Sequence, residues 1–233
     1  MRYSGSLVKK EREEIFRLFL NKDKLKFNEI EKSLKIKSNK ASYHIEKMQE
    51  EDLLEKKGFY YYLTKKAEKY IPIFQQVIGE ELSPLPVVLV GIVKDKKILL
   101  INRNKRPYKN YWSMIGGKMK LEESFEEASL RLVKEKTHLE GKFKSINTVF
   151  HEKVKEEKTV KHSFILFFTK VKVEEENFKE TKAGKLQWFN IEEIEEDKVI
   201  PSDMWLIKNK LNSKINVISA EIRDEKGKLS IIF

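Results

Sequence analysis

Two prolines in three residues, Pro84 and Pro86, constrain this chain more than any other feature. Each fixes φ and lacks an amide donor, so no helix runs through them, and the stretch around them reads as a short, stiff extended link. Before it, apolar residues recur at helical spacing. After it, they come in strand-length runs around one clear helix. The 233 residues therefore divide into an N-terminal domain (1–80), a linker (81–86) and a C-terminal domain (87–233).

Residues 1–80 carry 18 basic against 13 acidic side chains and the remainder 30 against 24, so both parts share the net charge of +11. A polyanionic partner fits this balance, and so does a lysine-rich composition with no such partner. The absence of cysteine excludes disulfides, thiolate catalysis and cysteine-bound zinc. The first twenty residues lack the apolar stretch of a signal peptide. No apolar run approaches a membrane span, so a soluble cytoplasmic protein without membrane partners is expected.

In the N-terminal part, Ile15, Leu18 and Phe19 share one face of a helix from about Leu7 to Leu20. A short helix from Asn28 to Leu34 follows, with Asn28 and Glu31 spaced as a capping box. Lys35-Ile36-Lys37 is the turn. Ser38 caps a third helix to about Glu50, with Ala41, Ile45 and Met48 inward and His44 packed beside them. Leu53 to Thr64 reads as two strands around Lys57-Gly58, with at least one ring of Tyr60-Tyr61-Tyr62 in the core, and Thr64 caps a last helix through about Ile78.

This order resembles the winged helix-turn-helix family over residues 8–78, mainly α with a β-wing. The resemblance implies binding of double-stranded DNA. The third helix turns Asn39, Ser42, Tyr43, Glu46 and Lys47 outward, with Lys40 at the edge, toward base edges and phosphates. Lys35, Lys37 and Ser38 lie at its start, and Lys56 and Lys57 at the wing tip. Any one lysine is equally well a solvated surface group, and Glu46 would repel phosphate; the set on this helix order favours DNA. A protein–protein role for the same module is the other reading.

In the C-terminal part, Val87–Val93 and Lys97–Ile101 read as buried strands around Lys94-Asp95-Lys96. Val160–Val173 is a long strand too continuously apolar to be exposed, and Ile215–Phe233 a terminal hairpin. The segment RNKRPYKNYWSMIGGKMKLEESFEEASLRLVKEKTHL resembles the Nudix box, G-x5-E-x7-R-E-U-x-E-E-x-G-U with U aliphatic. The resemblance implies an α/β/α fold with a mixed sheet over 87–233. It places Gly117 as the box glycine, Glu123 as the loop glutamate and Arg131 as the box arginine, these two as a structural ion pair. Glu135 is the first of the paired glutamates. Three positions depart: Leu132 and Lys136 replace glutamates and His138 replaces the second glycine.

In the family, glutamates on that helix face hold Mg²⁺ or Mn²⁺ against a diphosphate. Here at most Glu135 and the Gly117 carbonyl remain, two anionic ligands are lost and a cation is added. Glu152, Glu156 and Glu157, between two strands, are possible substitutes, though a solvated hairpin tip explains each as well. Lys136 could itself bind a diphosphate, or merely pair with Glu135 or Glu140. Arg103, Tyr108, Tyr111, Gly117, Glu135 and Lys136 are the expected ligand-binding residues, with Tyr108, Tyr111 and Trp112 able to stack a base. No role is assigned to His138, His151 or His162.

The resulting expectation is a DNA-binding regulator, a homodimer on a two-fold site, whose Nudix domain senses a nucleotide or nucleotide-sugar. The alternatives are an active, metal-dependent hydrolase of nucleoside diphosphate derivatives and a non-catalytic assembly module.

Overall fold

The computed structural model describes residues 9–71, 83–225 and 228–232. The chain divides into two compact units, Met1–Ser83 and Pro84–Phe233.

The first unit begins with α1 (Lys10–Leu18), whose Ile15 and Phe16 are fully buried, with Phe19 behind them. Leu18, expected on the inner face, is only partly buried, and Phe16 takes that place. A two-residue strand β1 (Leu25–Lys26) leads into α2 (Phe27–Leu34). The cap lies two residues earlier than the expected Asn28–Glu31 pair. The Glu29 carboxylate accepts the Lys26 amide at 2.8 Å, and Glu31 instead receives the Ser38 hydroxyl. Lys35, left-handed at φ 52°, ends α2 and turns the chain into α3 (Ser38–Glu50). Ser38 is the first helical residue rather than the cap, because its hydroxyl is spent on Glu31. Ala41, Ile45 and Met48 are buried, as is His44.

Strands β2 (Leu54–Lys57) and β3 (Tyr60–Leu63) form a hairpin whose two-residue turn is Gly58-Phe59. Gly58 sits at φ 62°, where a side chain would be strained. The three strands run in the order β1-β3-β2, and Tyr61 of the tyrosine run is buried. The Thr64 hydroxyl accepts the Ala67 amide and starts α4 (Lys65–Glu68). The helix expected through Ile78 stops at Glu68 and Lys69-Tyr70 form a turn; residues 72–78 lie outside the described residues.

The second unit is built on a mixed sheet. Its strands are β4 (Leu85–Lys94), β5 (Lys97–Arg103), β6 (Trp112–Ser113), β7 (Ile115–Gly117), β8 (Gly141–Glu156), β9 (Thr159–Val173) and β10 (Gly184–Asn190). The order is β10-β5-β4-β9-β8, with β6 on β5 and β7 on β4. Among the described strands β4 and β9 are the one parallel pair, and the other pairs are antiparallel. Leu85 and Pro86, expected in the linker, already pair with Phe164 and Ile165 in β4. Proline's fixed φ suits an extended start where its missing donor is tolerated.

Alternation along β4 supplies both cores. Val88, Val90 and Ile92 pack with Ala128, Leu132 and Val133 of α5 (Phe125–Thr137). Leu89 and Val93 pack with Phe168 and with Met204, Leu206 and Ile207 of α6 (Pro201–Lys210). Each such buried aliphatic side chain contributes about 1.5–3 kcal/mol. Covering both faces gives the α/β/α layering and explains the unbroken apolar runs. The terminal hairpin is shorter than expected: β11 (Glu221–Glu225) pairs only with β12 (Lys228–Ile232), while Ile215 makes an isolated bridge to Ile146. Among the described residues no helix is long and apolar enough to cross a membrane.

Helix α5 opens with a capping box, Ser124 and Glu127 exchanging bonds, and ends at His138, left-handed at φ 62°. Glycine takes that conformation without steric penalty, and histidine does not. His138→Gly is expected to stabilise this domain by about 1 kcal/mol. All three tryptophans, Trp112, Trp188 and Trp205, lie in this unit, so urea unfolding followed by their fluorescence reads it directly; an unchanged or lower midpoint would contradict the assignment.

Candidate functional site

The site forms where the second half of α5, the end of β7 and the segment after β5 meet. Arg131 on α5 holds these pieces together. Its Nε and Nη2 both bond Glu123, the latter at 2.8 Å, while Nη2 also reaches the Lys118 carbonyl at 3.0 Å. Glu123 further accepts the Lys120 amide at 2.7 Å. The Arg131 guanidinium pulls the Glu123 carboxyl down to about 2, so it is ionised throughout the physiological range. The pair fastens the loop before α5 to the helix.

One turn of α5 then decides what the cleft can hold. Leu132 is buried in the core and presses on Gly117, where an added Cβ would lie 2.4 Å from its Cδ2. Glu135 turns toward Arg131 at 3.1 Å and Lys120 at 3.7 Å. Lys136 is half-buried, and its ammonium donates to the carbonyl of Gly116, with no ion pair to Glu135 or Glu140 among the described residues. Burial foremost, with the nearby Arg103 charge, lowers its pKa.

This donor set does not fit a divalent cation. The face offers an aliphatic group, a carboxylate engaged by two cations and an ammonium seated on a carbonyl oxygen. Among the described residues no group of three His, Asp or Glu side chains could hold a metal. Of the three suggested substitutes, Glu152 alone reaches the cleft, and its carboxylate is already engaged. Glu156 ends β8 in an exposed ion pair with Lys161 and Glu157 is in the β8–β9 turn. Glu152 lies within β8 and is held by Tyr108 and Ser202 hydroxyls.

Two adjoining cavities open beside this turn and share Arg103, Met114 and Gly116. The first, about 220 Å³, has an apolar wall including Val87, Leu89, Phe164 and Leu166, with Tyr108, Gly117, Glu152 and Asp203 at its polar side. Tyr108 donates to Glu152 at 2.7 Å, and burial with that carboxylate raises its pKa. Asp203, in the first turn of α6, is buried and accepts the Met114 amide at 2.7 Å. The buried Ser113 hydroxyl, on the same wall, has no hydrogen-bond partner among the described residues. The second cavity, about 290 Å³, is lined by Lys136, Arg103, Lys105 and Asn104. Tyr111 lies outside both cavities and is 43% exposed. Trp112 packs edge-on against Phe189 at 4.9 Å.

The sequence reading missed Asp203, Ser113, Glu152's anchoring and Lys105. Pro201 with an acid two residues on does signal a helix start, but nothing local says that Asp203 faces a cavity.

The NUDIX domain family model matches residues 83–208. The chain belongs to the Nudix family. Among curated relatives of this Nudix chain, an ADP-ribose pyrophosphatase of Methanocaldococcus jannaschii is 45% identical over 67 residues, 28% of this chain and 40% of that protein. The chain thus spans less than half that relative's length. The uncharacterized Nudix hydrolase YvcI of Bacillus subtilis is 27% identical over 110 residues, 47% of this chain and 68% of that one. Among solved structures, the Bacillus halodurans MutT protein aligns at TM-score 0.47 and 28% identity, covering 55% of this chain and 83% of that one. The Nudix domain of Shewanella oneidensis NrtR, solved with ADP ribose, aligns at TM-score 0.45 and 15% identity, covering 57% and 93%.

In the first unit, the outward face of α3 carries exposed Asn39, Tyr43 and Glu46, with Ser42 and Lys47 half-buried. Lys37 and Ser38 are exposed at its start. Three of the expected DNA-facing lysines already have carboxylate partners: Lys40 with Glu11, Lys47 with Glu50 and Lys57 with Glu55. Lys56 lies over the Tyr61 ring at 5.5 Å. Phe59, 85% exposed at the hairpin tip, was not anticipated.

Burial pushes Asp203 up to about 7. Its folded pKa therefore exceeds the ordinary aspartate value, so it adds stability below about 4 that is lost as pH rises through about 7. Relative to Asp203→Asn, wild type is expected to lose up to about 1.4 kcal/mol per pH unit across that window and to run parallel above it. Tryptophan-monitored urea unfolding at a series of pH values checks this; parallel profiles throughout would refute it.

Proposed function

We propose that this chain is a DNA-binding regulator whose Nudix domain binds a nucleotide or nucleotide-sugar without hydrolysing it. The observation that carries the reading is the Lys136 ammonium on the Gly116 carbonyl, beside buried Leu132. Metal-assisted attack on a diphosphate needs anionic ligands, and this face lacks a free one. What remains is a binding cleft: an apolar wall with the buried acceptor Asp203 suits a base, and the adjoining cationic cavity suits phosphates. Arg103, Tyr108 and Gly117 are its ligand-facing residues.

For the N-terminal unit, helix, short strand, two helices and a hairpin support a winged helix-turn-helix. In this reading α3 enters the major groove, with Lys37, Ser38, Asn39, Lys40, Ser42, Tyr43 and Lys47 toward the duplex, and Lys56 and Lys57 at the flanking backbone. Dimerisation on a two-fold operator and action in the cytoplasm belong to the same proposal.

A second reading, a hydrolase, is favoured by the identity to an ADP-ribose pyrophosphatase. ADP-ribose with Mg²⁺ or Mn²⁺ separates the two. The regulator is expected to show no turnover, whereas rates of ~1 s⁻¹ or more would establish an enzyme. Fluorescence anisotropy of a labelled duplex with the full chain tests the other half. Affinity is expected to fall linearly in log–log form with salt, and Lys37→Ala to shallow that slope by about 1. A flat titration would leave an assembly module as the better account.

A further inference from the structure

A diphosphate brings concentrated negative charge into a partly desolvated cleft, and something must neutralise it. Three cations surround the second cavity, and no Asp or Glu lines it. Lys136 gives one hydrogen bond to Gly116, which leaves two of its three donors for another acceptor. Arg103 is anchored through Nε on the Pro107 carbonyl at 3.0 Å, which fixes the plane of its fork. Its terminal nitrogens have no hydrogen-bond partner among the described residues. Such a fork matches phosphate oxygens in pairs. Lys105 stands exposed at the rim.

The neighbouring carboxylate offsets this charge only in part, less than Arg103 adds to it. Glu135 is held away by Arg131 and Lys120. The cavity walls are fastened as well. Asn104 donates to the Lys182 carbonyl at 2.8 Å, and the Lys179 amide to the Thr137 carbonyl at 2.9 Å. A ligand entering here meets charge already in place.

Building on the nucleotide-binding reading above, we propose that the second cavity is a diphosphate site in which Lys136, Arg103 and Lys105 replace divalent metal, so that the ligand binds metal-free. Lys136 occupies the Gly116 carbonyl oxygen and repels any cation that approaches. Free Mg²⁺ then competes for the diphosphate instead of bridging it to the protein.

Calorimetric titration of the full chain with ADP, ADP-ribose and inorganic pyrophosphate, each in EDTA and in Mg²⁺, tests this. Binding in EDTA that Mg²⁺ does not strengthen is expected. Lys136→Met should weaken it about tenfold or more, Lys136→Arg should largely retain it, and the exposed Lys134→Met should leave it unchanged. Lys136→Glu should lose binding in EDTA and recover it in Mg²⁺. Tryptophan-monitored melts confirm that each variant is folded, and the wild-type comparison needs no variant at all. Binding seen only with Mg²⁺, or a folded Lys136→Met that binds like wild type, overturns the metal-free site while nucleotide binding stands. No binding of any probe in either buffer refutes the nucleotide-binding reading itself, and the site with it.

Discussion

The close approach of α5 to the Gly116-Gly117 backbone is the contact on which the cleft depends. Leu132 fills the space that any side chain at Gly117 would need, and Arg131 ties the following loop to the helix through Glu123 and the Lys118 carbonyl. With the strand end and the helix locked together, a side chain one turn after Leu132 has little choice of direction. Position 136 faces the Gly116 carbonyl, and an ammonium there makes the bond that the geometry offers. The same lock would aim a carboxylate at the same point. The chemistry of the cleft is therefore set by residue identity at a few fixed positions, while the frame around them is indifferent to it.

Electrostatics and packing reinforce each other at this turn. Leu132 replaces a polar group with one that joins the core behind it, so the helix face gains apolar burial where hydration would otherwise be retained. Glu135 loses its claim on the cleft because Arg131 and Lys120 offer it closer partners. For Lys136, half-buried near Arg103, the ammonium form carries a desolvation penalty. A cationic site that already bears this penalty before a ligand arrives resembles a preorganised anion receptor more than a weakened metal centre.

Much of this frame is legible in the sequence because it rests on periodicity. The apolar runs of β4 and β5 announce burial on both faces, and Ala41, Ile45 and Met48 announce the inner face of α3. The losses at 132 and 136 are visible once the box is set in register. What stays hidden depends on contacts between distant residues. Asp203 is 89 residues from the Met114 amide it accepts, and Glu152 is 50 residues from Ser202. No local pattern marks either as lining a cavity. The capping errors have a different cause. Asn28 and Ser38 are good caps by type, but Glu29 reaches the Lys26 amide, and Glu31 captures the Ser38 hydroxyl from across the turn. Propensity ranks the candidates; the tertiary partner decides among them.

The paired lysines of the first unit bear on its partner in the same way. Lys40, Lys47 and Lys57 each sit beside a carboxylate at the surface. Exposed pairs of this kind contribute only about 0–1 kcal/mol, since water and salt screen them. A phosphate of a polyanion can displace such a carboxylate at small loss, but it meets a weaker field than the formal charge of the unit implies. Lysine count alone therefore overstates the electrostatic part of any DNA affinity. On the proposed reading, Lys37 at the start of α3, which has no ion-pair partner among the described residues, would carry a larger share of it than the paired lysines, and the glutamates beside those lysines would weaken the hold on a duplex.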